Sequence, residues 1–276
     1  MTATALDTGT PELLASLDAG VLTLTLNRPE ARNAMTRAMN HALAEQLAQA
    51  ELNPEVKCLV LTGAGGGFCA GGDVKGMAAS GDGTGGPRTI DEAIHVQRVN
   101  QRETAGRLFK MPKPTLAVLP GAAAGAGLAL ALACDLRLMS SKAIMTTAFA
   151  RVGFSGDYGG TYFMTQLIGA AKARELYFLS DRVSADEAVR LGLANWSCAP
   201  EELAERTLQI TQRLANGPTV AYRYMKENLN RALAGGELHD CLDLEATHHI
   251  HCGQTEDHRE AAKAFVEKRE PVFKGR

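Results

Sequence analysis

The chain carries almost no net charge. Its 29 Lys and Arg oppose 31 Asp and Glu, giving a formal charge of -2, and no basic run gathers anywhere. That excludes an electrostatic footprint for nucleic acid. Long hydrophobic runs are missing too: the longest, around Leu128 to Ala133, is far short of the roughly 20 residues a membrane helix needs. Met1 to Thr10 has no Lys or Arg and no apolar segment, so neither a secretory nor a mitochondrial leader is expected. The six cysteines (Cys58, Cys69, Cys134, Cys198, Cys241 and Cys252) form no C-x-x-C pair and no metal-ligand spacing. They read as reduced, mostly buried thiols of a cytoplasmic protein. Gly63-Ala64-Gly65-Gly66-Gly67 lacks a dinucleotide-binding register, and no P-loop, G-x-S-x-G or H-E-x-x-H motif occurs. Solenoid-type repeats are absent as well.

What is present is a pair of glycine-rich turns. Phe68-Cys69-Ala70-Gly71-Gly72-Asp73 follows the apolar run Lys57 to Thr62, and Gly121-Ala122-Ala123-Ala124-Gly125-Ala126-Gly127 follows Thr115 to Leu119. Turns this poor in side chains let backbone N–H groups approach a ligand, and an N–H at a helix start favours negative charge. Two such turns facing each other could hold one oxyanion between two amides.

At 276 residues and 45% hydrophobic, the chain can bury one large core, with or without an appendage. After a polar start read as frayed, Val21 to Leu26 alternates as a strand and Asn27-Arg28-Pro29 stops it. Met39, Leu43 and Leu47 predict a helix from Thr36 to Asn53-Pro54. Residues 78–88 have a flexible composition, read as a mobile loop beside a site or as an inert linker. A helix is expected over about Asp91 to Lys110, a strand over Asp135 to Met139, and a helix over Thr161 to Ile168. Ser184-Ala185-Asp186-Glu187 opens another helix that Gly192 closes. Beyond Glu201 the pattern is helical, broken at Gly217-Pro218 and Gly235-Gly236. The organisation is thus α/β over 1–200, with a helical region over 201–276.

Asp157 lies among glycines and aromatics just before a predicted helix. A carboxylate in a partly apolar setting keeps enough basicity to abstract a carbon-bound proton; it could equally be a helix cap or first-turn acid. Tyr158 and Tyr162 could line a pocket or pack at the helix start. His95 and Glu103 carry the same ambiguity. His248, His249, His251 and Cys252 share a helix, but no convergent ligands come from elsewhere, so no metal is expected.

Several of these motifs resemble the enoyl-CoA hydratase/isomerase (crotonase) superfamily. They are Phe68 to Asp73, Gly125-Ala126-Gly127 with Ala131 to Asp135, Gly153 to Thr161, Asn27 to Ala34 and Phe265 to Arg269, in the family's order over roughly residues 12–275. The resemblance implies a crotonase-like spiral of β-β-α units with a helical C-terminal oligomerisation region, assembled as a homotrimer or homohexamer. It also implies an acyl-CoA thioester substrate, coenzyme A being part of that substrate, with no separate cofactor. By position, the amides of Gly72 and Ala126 match the family's oxyanion hole. Arg28, Arg32, Ala70, Gly71, Asp73 and Tyr158 would contact substrate or CoA, as would Phe265 and Lys268 from a neighbouring subunit.

The departures matter as much. Hydratases of the family hold a water between two glutamates, and this chain has Ala129 and Phe149 at the matching places. Asp157 remains, in a context similar to the phenylacetate-pathway isomerase branch, where one aspartate moves a proton between two carbons. That branch usually has Pro before the Asp; here it is Gly156. The resemblance therefore implies an enoyl-CoA isomerase. A hydratase with other water-positioning groups, a thioester hydrolase or C–C lyase, and a non-enzymatic CoA-thioester-binding protein stay open as alternatives.

Overall fold

A computed structural model describes residues 3–73 and 89–276; the 78–88 segment, read above as a mobile loop, lies outside them. The strands are β1 (Thr4–Leu6), β2 (Leu13–Asp18), β3 (Val21–Leu26), β4 (Cys58–Gly63), β5 (Thr115–Leu119), β6 (Ala123–Ala124), β7 (Leu136–Ser140), β8 (Ile144–Thr146), β9 (Val183–Ser184) and β10 (Trp196–Cys198). Two sheets result, ordered β1-β2-β3-β4-β5-β7-β10 and β6-β8-β9. From β3 to β10 the larger sheet is parallel, while β1, β2 and β3 pair antiparallel. From Thr4 the chain is therefore ordered strand rather than frayed. Leu13 and Ala15 face the core while Leu14 is half exposed, which blurs the period-two signal.

Helix α1 (Arg37–Leu52) is capped by the Thr36 hydroxyl and buries Met39, Leu43 and Leu47 against the sheet. The single helix expected over 91–110 divides into α2 (Ile90–Gln101), a π-helical stretch over Arg102–Gly106 and α3 (Arg107–Lys110). Helix α4 (Ala126–Ala133) is buried on every side, as an eight-residue run of alanine, leucine and one glycine permits. Helix α5 (Gly160–Leu179) runs past the expected Ile168, across a break at Gly169 where φ is 76°. Helix α6 (Ala185–Leu191) starts at the Ser184 cap and ends at Gly192.

The remaining helices are α7 (Leu203–Ala215), α8 (Thr219–Leu233), α9 (Leu238–Gly253) and α10 (Glu256–Glu267). Val60, Leu116, Val118 and Leu138 on the outer face of the sheet form a small core with Leu203 and Ile210 of α7. Helix α8 is tied down by Lys226, whose Nζ donates to Asp135 Oδ2 at 2.8 Å and to the Leu108 carbonyl at 3.1 Å. Among the described residues, no helix is long and apolar enough to cross a membrane.

Candidate active site

Parallel neighbours end on the same side of a sheet, and β4 and β5 are parallel neighbours. The two glycine-rich turns therefore emerge together. The Phe68 and Cys69 amides both donate to the Ala122 carbonyl, at 3.2 and 3.1 Å, and the Ala124 amide donates back to Cys69 at 2.9 Å. Two glycines set how close the turns come. A Cβ on Gly127 would lie 2.5 Å from Cys69 Cβ. One on Gly71, whose φ is +93°, would lie 2.9 Å from the Ala124 carbonyl and 3.4 Å from the Ala126 nitrogen.

Gly72 bridges to Met35 through Met35 N–H donating to Gly71 and Asp73 N–H donating to Met35. Its own N–H takes no part in that exchange. Ala126 is the first residue of α4, so its N–H has no acceptor within the helix. Among the described residues neither amide has a protein acceptor. Two adjacent loops thus present spare backbone donors close together.

A third segment braces this arrangement. Asn33 is fully buried; its Oδ1 accepts from the Arg28 amide at 2.9 Å, and its Nδ2 donates to the carbonyls of Ala64 (2.9 Å) and Gly67 (3.1 Å). Arg28 itself donates to Ala34 and pairs with Asp73 at 3.1 Å. Arg32 is exposed, and its carbonyl accepts from the Ala70 amide at 3.0 Å. Arg28, Arg32, Ala70, Gly71 and Asp73 therefore form one neighbourhood at the first turn. Phe265 and Lys268 do not join it: Phe265 is 85% exposed on α10, and Lys268 caps that helix at φ 54°. Cys69, inside the turn, is no nucleophile in waiting. Its Sγ–H donates to the Asn33 carbonyl at 3.1 Å, and burial pushes the thiol up to about 12.

Asp157 stands in the turn leading into α5. The cap of that helix is Gly159, and no side chain bonds to its free amides, so the capping role left open by the sequence is not played. Asp157 Oδ1 is buried with no hydrogen-bond partner, and burial raises the carboxyl from its ordinary 3.8 to about 6. Gly156 has φ +113°, a path closed to proline, whose ring holds φ near -65°. The departure from the branch's Pro is thus a change in the route of the turn.

Tyr158 is buried in the core at φ +48°, and its amide donates to Gln101 Oε1 at 2.5 Å. Gln101, at the end of α2, therefore holds the Asp157 turn. Sequence alone gave no sign of it, because the two residues meet across 57 positions. The same turn adjoins α4: a Cβ on Gly160 would lie 3.2 Å from Ala129 Cβ. Phe149 lies at the base of the second glycine turn, 3.7 Å from a Cβ built on Gly125. Ala129 therefore lies against the Asp157 turn and Phe149 against the second glycine turn, and at these two places, where the resemblance puts the family's glutamates, neither brings a charge.

The chain belongs to the enoyl-CoA hydratase/isomerase family. The family's model matches residues 16–276. The 1,2-epoxyphenylacetyl-CoA isomerase of Escherichia coli is 37% identical, over 96% of this chain and 98% of its own. The short-chain-enoyl-CoA hydratase of Clostridium acetobutylicum is 31% identical, over 90% and 92%. The crystal structure of an enoyl-CoA hydratase from Polaromonas sp. JS666 superposes with a TM-score of 0.87 at 31% identity, covering 95% of this chain and 99% of that one. The fold is that of the crotonase superfamily, and membership implies an acyl-CoA thioester substrate. Both isomerases and hydratases stand among the relatives, so the family does not choose between the reactions.

Other candidates lie apart from this site. Tyr162 lines an apolar cleft of about 380 Å³ between α5 and α8, with Phe109, Leu167, Met225 and Leu229. The Lys226–Asp135 pair at its edge is satisfied within the protein. His95 is exposed, and Glu103 pairs with Arg107. His248 is buried between α8 and α9, bonded through Nδ1 to Asn228 at 2.6 Å and stacked on Tyr224.

Proposed function

We propose that this chain is an enoyl-CoA isomerase that shifts a C=C bond along an acyl thioester, with Asp157 as its single acid and base. In this reading the Gly72 and Ala126 amides donate hydrogen bonds to the thioester oxygen, making the adjacent C–H acidic by stabilising the enolate that forms. A backbone donor of this kind is typically worth about 3–4 kcal/mol in the transition state. Asp157 then removes a proton from one carbon and returns it to another two bonds away. A carboxyl near 6 is ionised at neutral pH yet basic enough to hold the proton in transit.

The observation that carries the reading is the buried, unpaired Oδ1 of Asp157, in a site where Ala129 and Phe149 offer a water no acid or base. Adding water needs a positioned water with a matched acid and base, and one carboxylate does not supply both. In CoA binding, Arg32 and the backbone at Ala70 and Gly71 take the nucleotide and pantetheine side. Arg28 and Asp73, paired with each other, shape that wall. A partner subunit contributes Phe265 and Lys268. Exposed Leu229, Leu238, Leu242, Ile250, Phe265 and Val266 on the C-terminal helices support a homotrimer or a pair of trimers.

The test is incubation of the protein with trans-2- and trans-3-enoyl-CoA panels in deuterated water. Isomerisation with deuterium incorporation and no hydroxyacyl product supports the reading. Stoichiometric hydration overturns it in favour of a hydratase.

A further inference from the structure

Asp157 is not the only polar side chain at its turn. Tyr177 lies on α5, and its ring stacks on Phe149 with centroids 5.9 Å apart and planes within 16°. Its hydroxyl sits between the two glycines that bracket Asp157. A Cβ on Gly160 would fall 2.6 Å from that oxygen, and one on Gly156 would fall 3.7 Å from it. The room for the phenol exists because both residues are glycine. The point 2.6 Å from the hydroxyl is also 3.2 Å from Ala129 Cβ, so the phenol lies against the Asp157 turn close to both Ala129 and Phe149.

Among the described residues this hydroxyl forms no hydrogen bond, and it does not reach the vacant Oδ1 of Asp157. Burial, then the nearby Asp157 charge, push its ionisation upward, so it stays a neutral O–H donor at any working pH. A half-buried donor and a buried acceptor therefore stand side by side, neither satisfied by the protein. A buried unpaired acceptor such as Asp157 Oδ1 costs stability unless a ligand completes it, and the half-buried phenol beside it is free to donate to that ligand. One atom type completes both at once: an oxygen that accepts from the phenol, with a proton or C–H for the carboxylate.

We propose that the Tyr177 hydroxyl is a specificity-determining group that donates a hydrogen bond to an oxygen borne by the acyl chain near its reacting carbons, so that the site prefers oxygen-substituted acyl-CoA thioesters to plain hydrocarbon ones. This rests on the isomerase reading for the location of the reacting carbons, and it names the substrate class. Tyr177 touches the chain and moves no proton; Asp157 keeps that task. Phe149 holds the phenol by stacking rather than by charge.

The experiment measures binding of three non-isomerising probes, hexanoyl-CoA and its 3-hydroxy and 4-hydroxy derivatives, to the wild type and to Tyr177→Phe by calorimetry. The wild type is expected to bind at least one hydroxylated probe about tenfold more tightly than hexanoyl-CoA. In Tyr177→Phe that preference should vanish, the loss falling at least about tenfold harder on the hydroxylated probe. No preference in the wild type overturns the proposal, as does a preference that survives the substitution or an equal loss for all probes. Deuterium exchange by Asp157→Asn is measured in parallel. If that variant loses exchange while Tyr177→Phe shows no selective effect, the substrate class is wrong and the isomerase reading stands. If Asp157→Asn exchanges as the wild type does, the isomerase reading itself fails.

Discussion

Replacing Asp157 by Asn should make the protein more stable and nearly inactive, with both effects following pH. Burial holds the folded carboxyl at about 6 against an ordinary 3.8. The folded state therefore binds the proton more tightly than the unfolded one, and stability falls as pH rises from about 4 to 6. Above that window the cost is fully expressed. At about 1.4 kcal/mol per pH unit it amounts to at most about 3 kcal/mol. Asn carries no charge and escapes this cost, so the gap in unfolding free energy between Asp157→Asn and the wild type should open between pH 4 and 6 and stay level to pH 8. Urea unfolding at half-unit pH steps measures it. Over the same range wild-type kcat/KM on an enoyl-CoA should climb to a plateau with its midpoint near 6, because the ionised carboxylate is the working form. The variant should lie at least about 100-fold below it at pH 8. A flat wild-type profile from pH 5 to 8, or a stability gap independent of pH, refutes the reasoning.

Other outcomes follow from the same geometry. Gly127→Ala places a Cβ 2.5 Å from that of Cys69; forcing the turns apart should cost about 1–3 kcal/mol in stability and about 100-fold or more in kcat, read by thermal melts and initial rates. Gln101→Ala frees the Tyr158 amide and should lower kcat more than it raises KM, while moving the pH midpoint of activity away from about 6. Lys226→Met leaves the Asp135 carboxylate with only its Thr115 bonds and should cost about 3 kcal/mol by urea midpoint, with kcat/KM unchanged because the hydrogen bonds of Lys226 and Asn230 on α8 go to Leu108, Phe109 and Asp135 rather than to the glycine turns.

The meeting of the two glycine turns was legible because each feeding strand leads into a turn of glycine and alanine. Parallel pairing of β4 with β5 did the rest. Helices α1 and α6 were legible for a similar reason, having side-chain or glycine caps at both ends or a clean four-residue period. The first strands were not. Thr4–Leu6 is wholly exposed and Leu14 points outward, so neither shows alternation. Nor was the π-helical turn, since Arg102–Gly106 carries no proline that would mark a change of helix type. Asp157 could be singled out by its glycine and aromatic neighbours. The groups that hold or flank it, Gln101 and Tyr177, come from other helices, and no local spacing links them to it. Asn33 lay within a motif, yet only the structure ties its side chain to the Gly63–Gly67 loop.

Two backbone amides gripping one thioester oxygen are the centre of the proposed chemistry. A crystal structure of the protein with bound hexanoyl-CoA measures this directly. The thioester oxygen should lie within about 3 Å of both the Gly72 and Ala126 nitrogens, with the α-carbon facing Asp157. A carbonyl that meets only one of them, or is turned toward solvent, would contradict it.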